Sequence, residues 1–162
     1  MWFNHEWIKK SGVGSLETGV RSLLSEKGIS GINDSVLKKV IGLVKDRCSL
    51  LTDFYDQSYF FFISPDKWDL DAVKPKWNDD KKNFFIAYVE KLQSAEDWKA
   101  VALENIFKEL ATKMNIKSGE LQLPFRIMLV GGKFGPPVFN IAELLDKSET
   151  IHRIKNALKV FG

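Results

Sequence analysis

A glycine-rich segment at residues 131–135, with Lys133 inside it, is the first place where this sequence could bind phosphate. Loops that cradle nucleotide phosphates combine closely approaching glycine backbone with a lysine that is followed by Ser or Thr. Here Phe134 follows Lys133, and the GxxxxGK[ST] spacing is absent. The segment therefore predicts a turn between two helices that needs positive φ. Glycine backbone leading into Pro136-Pro137 could still offer amide groups and an apolar floor to an RNA base.

Residues that bind metals or move protons are few and scattered. The two histidines, His5 and His152, have no second ligand at helical or loop spacing. Three aspartates within residues 66–71 resemble part of a calcium loop, but they lack its glycine and its closing Glu. No nucleophile stands beside a base. We therefore expect no catalytic residue, no metal site and no cofactor in this chain.

Cys48 is the single cysteine, which excludes an intramolecular disulfide and fits a reducing cytoplasm. It continues an apolar stripe at helical spacing, so we expect it to be a small buried hydrophobe. No run approaches the ~18 apolar residues of a membrane span. The expectation is a soluble, cytoplasmic chain with no membrane contact.

Helix start and stop signals recur along the chain, and no strand-like alternation accompanies them. The prediction is an all-α fold with an aromatic connector at residues 59–78 and a polar loop at 115–123. The predicted helices run from Ser15 to a glycine stop at Lys27-Gly28, from an Asn33 or Asp34 cap along a stripe to Leu51, from Asp79 or Asp80 through Leu92, from a near capping box at Ser94–Asp97 to Met114, from Pro124 to Val130, from Pro136-Pro137 through Leu145, and from Ser148 to Val160.

The net charge of +3 is concentrated at one end of the chain. Residues 126–162 hold six of the 24 Lys and Arg but three of the 21 Asp and Glu, so the whole positive surplus falls there. Such a surplus is compatible with a phosphate-facing surface, and equally with a solvated helix face.

Several short motifs occur together in one order. They are Trp2–Ile8, Asp46–Leu50 followed by the aromatic block 59–62, Leu123–Gly131, Gly135–Phe139 and Ile151–Ile154. Taken in this order and spacing, they resemble the C-terminal, anticodon-binding region of bacterial-type glutamyl-tRNA synthetases, the glutamate–tRNA ligases. The likeness covers nearly the whole chain.

The resemblance implies an all-α anticodon-binding domain with two small helical subdomains. We expect residues 1–30 to resemble the edge of the stem-contact region, 31–115 to form the first anticodon-binding subdomain, and 116–162 the second. The HIGH-like and KMSKS-like signatures of the catalytic domain are missing, so the fragment should not activate glutamate. ATP and magnesium are implied for the parent's catalytic domain. The implied partners are glutamate tRNA, through its anticodon loop, and that catalytic domain; we expect a monomer.

Positions that match the family motifs carry its implied contacts. The residues carried over as nucleic-acid contacts are Arg47, Arg126, Gly135, Pro136, Pro137 and Val138. Arg47 matches the arginine that inspects the third anticodon base, and Arg126 one near the first. The family often has Ser or Thr at the Gly135 position, so only backbone contacts are implied there. Without the resemblance, the expectation for Arg47 would be a surface salt bridge with Asp46 or Asp53.

A competing hypothesis is an all-α protein-interaction domain, or a generic RNA-binding domain, in which the aromatic connector and basic end dock another chain. It predicts little preference among RNAs. Exposure of Arg47 and Arg126 would favour base recognition, and burial of either in an ion pair would weaken it.

Overall fold

A computed structural model describes Ile8 and residues 12–162 of the chain. Trp2–Trp7, most of the opening motif, lies outside the described residues, as does His5. Within the described part the regular elements are all helical, which confirms the all-α prediction. The α-helices are α1 (Val13–Glu26), α2 (Asp34–Val44), α3 (Asp53–Ser58), α4 (Leu70–Val73), α5 (Asp79–Gln93), α6 (Ala100–Lys113), α7 (Ser118–Val130) and α8 (Val138–Phe161), with short 3-10 turns at Lys45–Arg47, Tyr59–Phe61 and Lys74–Lys76.

The chain packs as two compact units, a first unit Met1–Ile63 and a second unit Ser64–Gly162. The predicted borders at residues 30 and 115 do not coincide with this division. Helices α1 and α2 pack together across the first border, and α6 and α7 share one aromatic core across the second. The assignment of separate roles to residues 1–30, 31–115 and 116–162 stays a prediction.

In the first unit, α1 ends in the predicted glycine turn. Gly28 has a φ of +86°, and the N–H of Ile29 donates back to the carbonyl of Leu24 at 2.8 Å. This left-handed glycine closure satisfies helix-end carbonyls that would otherwise lack partners. Arg21 then donates to the carbonyl of Ile32 at 2.9 Å, which ties α1 to the start of α2.

Asn33 caps α2 as predicted, because its side-chain oxygen accepts from the N–H of Ser35 at 2.8 Å. The predicted stripe is largely buried: Leu37, Val40, Ile41, Val44 and Cys48 have almost no exposed surface. The α-helix stops at Val44, however, and not at Leu51. Burial, with a smaller contribution from Asp53, raises the pKa of the Cys48 thiol to about 12; Cys48 is the buried small side chain that the sequence predicts.

Aromatic rings form the centre of the second unit. Phe107 of α6 lies at the middle, with its ring centroid 4.9–6.3 Å from those of five other rings. Those five are Phe84, Phe85, Tyr88, Phe125 and Phe139, and they come from α5, α7 and α8. The Tyr88 hydroxyl donates to the carbonyl of Leu103 at 3.0 Å, so this buried polar atom has a partner, and burial raises the pKa of Tyr88.

The sequence predicts that Pro124 begins a helix, and this prediction is wrong. Pro124 lies inside α7, which begins at Ser118. The loop predicted at 115–123 is correspondingly shorter. Leu121, Phe125 and Met128 are fully buried at helical spacing. Full burial of a leucine contributes about 1.5–3 kcal/mol, which is comparable to the ~3 kcal/mol that an internal proline costs, so tertiary packing carries the helix through Pro124.

Three further helix boundaries refine the predictions. Ser94 ends α5 and does not open the next helix, because α6 begins at Ala100. The predicted connector 59–78 contains two short 3-10 turns and α4, whose first turn is capped by Asp69. The two helices predicted from Pro136-Pro137 and from Ser148 are both present within α8, and the non-helical residue Asp146, with a φ of +71°, separates them at a kink.

Truncation of Phe107 to alanine should lower the free energy of unfolding by about 3–5 kcal/mol, because the change leaves a cavity among five packed rings. Urea unfolding followed by tryptophan fluorescence measures this loss. Val101→Ala, on the same helix but 72% exposed, is the matched control and should change stability by no more than about 0.5 kcal/mol. Equal effects of the two variants would contradict the proposed core.

Candidate nucleic-acid interface

Arg47 ends the 3-10 turn that follows α2, between the buried residues Val44 and Cys48, and its own side chain is exposed. Within the described part of the chain it makes no ion pair with Asp46 or Asp53. One oxygen of Asp53, Oδ2, accepts instead from the backbone N–H groups of Ser49 at 2.8 Å and Leu50 at 2.9 Å. The guanidinium of Arg47 therefore presents its donors to solvent.

Arg126 lies on α7 and is half-buried. Its Nη1 donates to the carbonyl of Pro136 at 2.6 Å, so it spans the turn between α7 and α8. This acceptor is a backbone carbonyl, and the bond fixes the chain where Gly135 leads into Pro136 and Pro137. Arg126 holds the predicted loop from the side of α7.

Gly131 ends α7 in the left-handed conformation, with a φ of +85°. Its N–H donates to the carbonyl of Ile127 at 2.8 Å, and its carbonyl accepts from the N–H of Asp69 at 2.9 Å. A Cβ here would lie 2.7 Å from the carbonyl oxygen of Lys67. Glycine is required both by the backbone angle and by this close approach, which confirms the predicted positive-φ turn.

The other predicted loop residues differ in exposure. Pro136 and Val138 are buried, Gly135 is half-buried with a φ of +153°, and Pro137 is exposed at the start of α8. Pro136 and Val138 thus form the buried part of the loop. Pro137 and the Gly135 backbone form its accessible face.

Arg153 is a structural residue whose role the sequence analysis missed. It is 2% exposed, donates from Nη1 to the carbonyl of Leu129 at 2.8 Å, and pairs through Nε with Glu149 at 2.9 Å. Burial lowers its pKa, and the hydrogen bond and charge of Glu149 oppose that shift. Arg153 shares a helix face with the buried residues Thr150 and Ala157, so helical periodicity was the signal that could have revealed its burial.

Two side chains at the tip of the loop face outwards. Lys133 is exposed, and Phe134, at 86% exposure, is the most exposed large apolar side chain of the described residues. The loop therefore carries one cation and one aromatic ring beyond the backbone that Gly131 and Arg126 fix.

Other chemistry finds no support in the part of the chain that the structure describes. No three His, Cys, Asp or Glu side chains there come together to hold a metal ion. His152 is exposed and bonded to the side chain of Asn156 at 3.0 Å. No helix among residues 12–162 is both long and apolar enough to cross a membrane.

An all-α domain with an exposed arginine and an arginine-held Gly-Pro-Pro loop fits the class of helical RNA-binding domains. Residues 8–158 match the family described as anticodon binding domain, and the chain belongs to this family. Membership implies tRNA binding.

The chain is 34% identical over 157 residues to a glutamate–tRNA ligase of Flavobacterium johnsoniae, with 97% of this chain and 31% of the relative covered. It is 33% identical over 161 residues to that of Porphyromonas gingivalis, with 99% and 32% covered. The chain thus spans about a third of the length of these curated relatives. The similarity confirms the predicted resemblance to the anticodon-binding region of glutamate–tRNA ligases, and it favours that hypothesis over a protein-interaction domain.

Solved structures give the same result. The crystal structure of a glutamate tRNA ligase from Elizabethkingia meningosepticum in complex with its amino acid matches with a TM-score of 0.91 at 28% identity, over 98% of this chain and 31% of that chain. A glutamate-tRNA synthetase from Elizabethkingia anophelis matches with a TM-score of 0.80 at 26% identity, over 96% and 30%.

Gly131→Ala should destabilise the second unit by more than the roughly 1–2 kcal/mol of a left-handed alanine, because the new methyl group also meets the Lys67 carbonyl. Gly132→Ala is the control, since its Cβ would have nothing within 4 Å and its φ is not in the left-handed range. Urea midpoints of the two variants measure the difference. If Gly131→Ala unfolds at the wild-type midpoint, the packing of Gly131 against residues 65–67 is wrong.

Proposed function

We propose that this chain recognises the anticodon loop of glutamate tRNA as part of a longer glutamate–tRNA ligase. The observation that carries the proposal is the exposed guanidinium of Arg47, which forms no ion pair with the neighbouring Asp46 or Asp53. Arginine is weakly hydrated for a cation, and its planar fork suits an edge with two acceptors. An arginine in this state is ready to bind an acceptor edge without first breaking a salt bridge.

Arg47 is proposed to read the third anticodon base, cytosine. The O2 and N3 atoms of cytosine are adjacent acceptors, and the two parallel N–H donors of a guanidinium match them. Guanine presents a donor edge in their place, so its N–H groups would oppose those of Arg47. The result is discrimination against tRNAs that carry guanine at this position.

The loop Gly135, Pro136, Pro137 and Val138 is proposed to lie near the first anticodon base. Its support is the bond from Arg126 to Pro136, which holds the backbone in one conformation, and the burial of Val138 beneath it. Arg126 acts here mainly by fixing the loop. A held loop loses little entropy when a base binds against it.

The longer protein is proposed to attach glutamate to its tRNA with ATP and magnesium, and to do so in a catalytic domain outside these 162 residues. The fragment itself takes no cofactor. Residues 1–30 are proposed to adjoin the stem-contact region and that domain, with residues 31–115 and 116–162 serving the anticodon. The protein is proposed to be a cytoplasmic monomer.

Equilibrium binding of this chain to a glutamate tRNA, and to the same tRNA with C changed to G at the third anticodon position, tests the role of Arg47. The wild type should prefer cytosine by about 5- to 100-fold, the range expected for one bidentate contact. Arg47→Ala should abolish the preference, and Arg47→Lys should retain charge but lose most of the selectivity.

Lys39→Ala is the matched control, because it removes an exposed positive charge from α2, the helix just before Arg47. It should weaken binding to both tRNAs equally or leave it unchanged, so the preference for cytosine persists. Equal wild-type binding to both tRNAs would rule out base reading by Arg47 and leave a generic basic surface.

A further inference from the structure

Phe134 stands out because its ring is 86% exposed and, within the described part of the chain, stacks on no other ring. Eight other aromatic residues of the second unit, by contrast, pack against one another, as Phe125 and Phe139 do. Single exposed apolar side chains are common on protein surfaces, so exposure alone carries no functional meaning. The setting of Phe134 is what distinguishes it.

The backbone around Phe134 is held on both sides. Gly131, three residues before it, is bonded through its carbonyl to the N–H of Asp69, and Pro136, two residues after it, is bonded to Arg126. The ring therefore projects from a short span between two fixed points. A partner that stacks on it pays little for ordering the loop.

The surroundings of Phe134 favour RNA over protein. Its nearest exposed or half-exposed neighbours in sequence are Gly132, Lys133 and Gly135, which add a positive charge and bare backbone, and Pro137 is the one other apolar side chain that residues 131–137 expose. A protein-docking patch needs contiguous apolar surface of a few hundred Å² or more. A lone ring beside a cation is instead the combination that binds single-stranded nucleic acid, where bases stack on aromatic rings and lysines contact phosphate.

We propose that Phe134 is a stacking platform for one unstacked base of the RNA loop, with Lys133 contacting an adjacent phosphate. The inference rests on the proposed function and deepens it, because it adds a contact that depends on ring area and not on base identity. Phe134 would thus raise affinity for any splayed loop, while Arg47 supplies the preference for cytosine.

Equilibrium binding to an RNA hairpin that carries the glutamate anticodon loop tests this contact. Phe134→Ala should weaken binding by about 5- to 100-fold, the effect of losing one base–aromatic stack. Phe134→Trp should bind at least as tightly as the wild type, and Phe134→Leu should fall between. Val101→Ala, which also removes an exposed apolar side chain from the second unit, should bind like the wild type.

Salt dependence separates stacking from charge. Phe134→Ala should leave the slope of log K against log salt unchanged, whereas Lys133→Ala should reduce its magnitude by about 0.7 for one lost phosphate contact on single-stranded RNA. Melting temperatures of all variants should equal that of the wild type, since neither side chain is packed. A Phe134→Ala variant that binds the hairpin as tightly as the wild type would overturn the proposal.

The same binding experiments distinguish a failure of anticodon recognition from a failure of the stacking role of Phe134. If the wild type binds the hairpin no better than a hairpin of scrambled loop sequence at every salt concentration, anticodon recognition itself fails. If the wild type is selective and Phe134→Ala retains its affinity, only the stacking role fails. If Phe134→Ala retains RNA affinity but abolishes self-association in sedimentation equilibrium, the ring serves contacts between copies of the chain, and the stacking proposal is also wrong.

Discussion

The second unit depends on how the C-terminal end of α7 is closed. The last carbonyls of a helix have no partner within the helix, and leaving such groups buried without hydrogen bonds is costly. Here the Leu129 carbonyl accepts from Arg153, and the Gly131 carbonyl accepts from Asp69. These two bonds bring α8 and the segment before α4 to the same helix end, so one closure fixes the mutual arrangement of three segments.

The buried guanidinium of Arg153 at this helix end requires hydrogen-bond acceptors in fixed positions. Removing a guanidinium from water costs several kcal/mol unless its donors find acceptors. Arg153 meets that condition through a helix carbonyl and the Glu149 carboxylate one turn away on its own helix. Because the Leu129 carbonyl belongs to α7, the bond to it limits how far α8 can slide along α7. The loop that joins α7 and α8 therefore runs between two helices whose positions are fixed, and the hydrogen bond from Arg126 to Pro136 holds the end of the loop that leads into α8.

Local signals in the sequence predicted the features that local chemistry controls. Gly28 and Asn33 close and open helices through bonds within a few residues, and the stripe ending in Cys48 is buried as its period indicates. Pro124 and Arg153 were different, because their placement depends on contacts that are distant in sequence. Burial of Leu121 carries α7 past Pro124, and Leu129, 24 residues away, supplies an acceptor for Arg153. The order of motifs identified the family, and the three-dimensional structure revealed which of its arginines support the fold.

Arg47 is exposed and forms no ion pair with Asp46 or Asp53, although both carboxylates lie close to it in sequence. Asp53 stands near enough in sequence to pair with Arg47, yet its carboxylate accepts two backbone N–H groups at the start of the turn into α3. Hydrogen bonds to a charged group contribute about 1.5–3 kcal/mol each, whereas an exposed ion pair contributes about 0–1 kcal/mol. The backbone bonds of Asp53 thus stabilise the turn by more than an exposed ion pair with Arg47 would, and the Arg47 side chain is exposed to solvent. Asp53 thus closes the turn into α3 through its bonds to backbone N–H groups, while Arg47 beside that turn remains without an ion pair to Asp46 or Asp53 and can meet an RNA base.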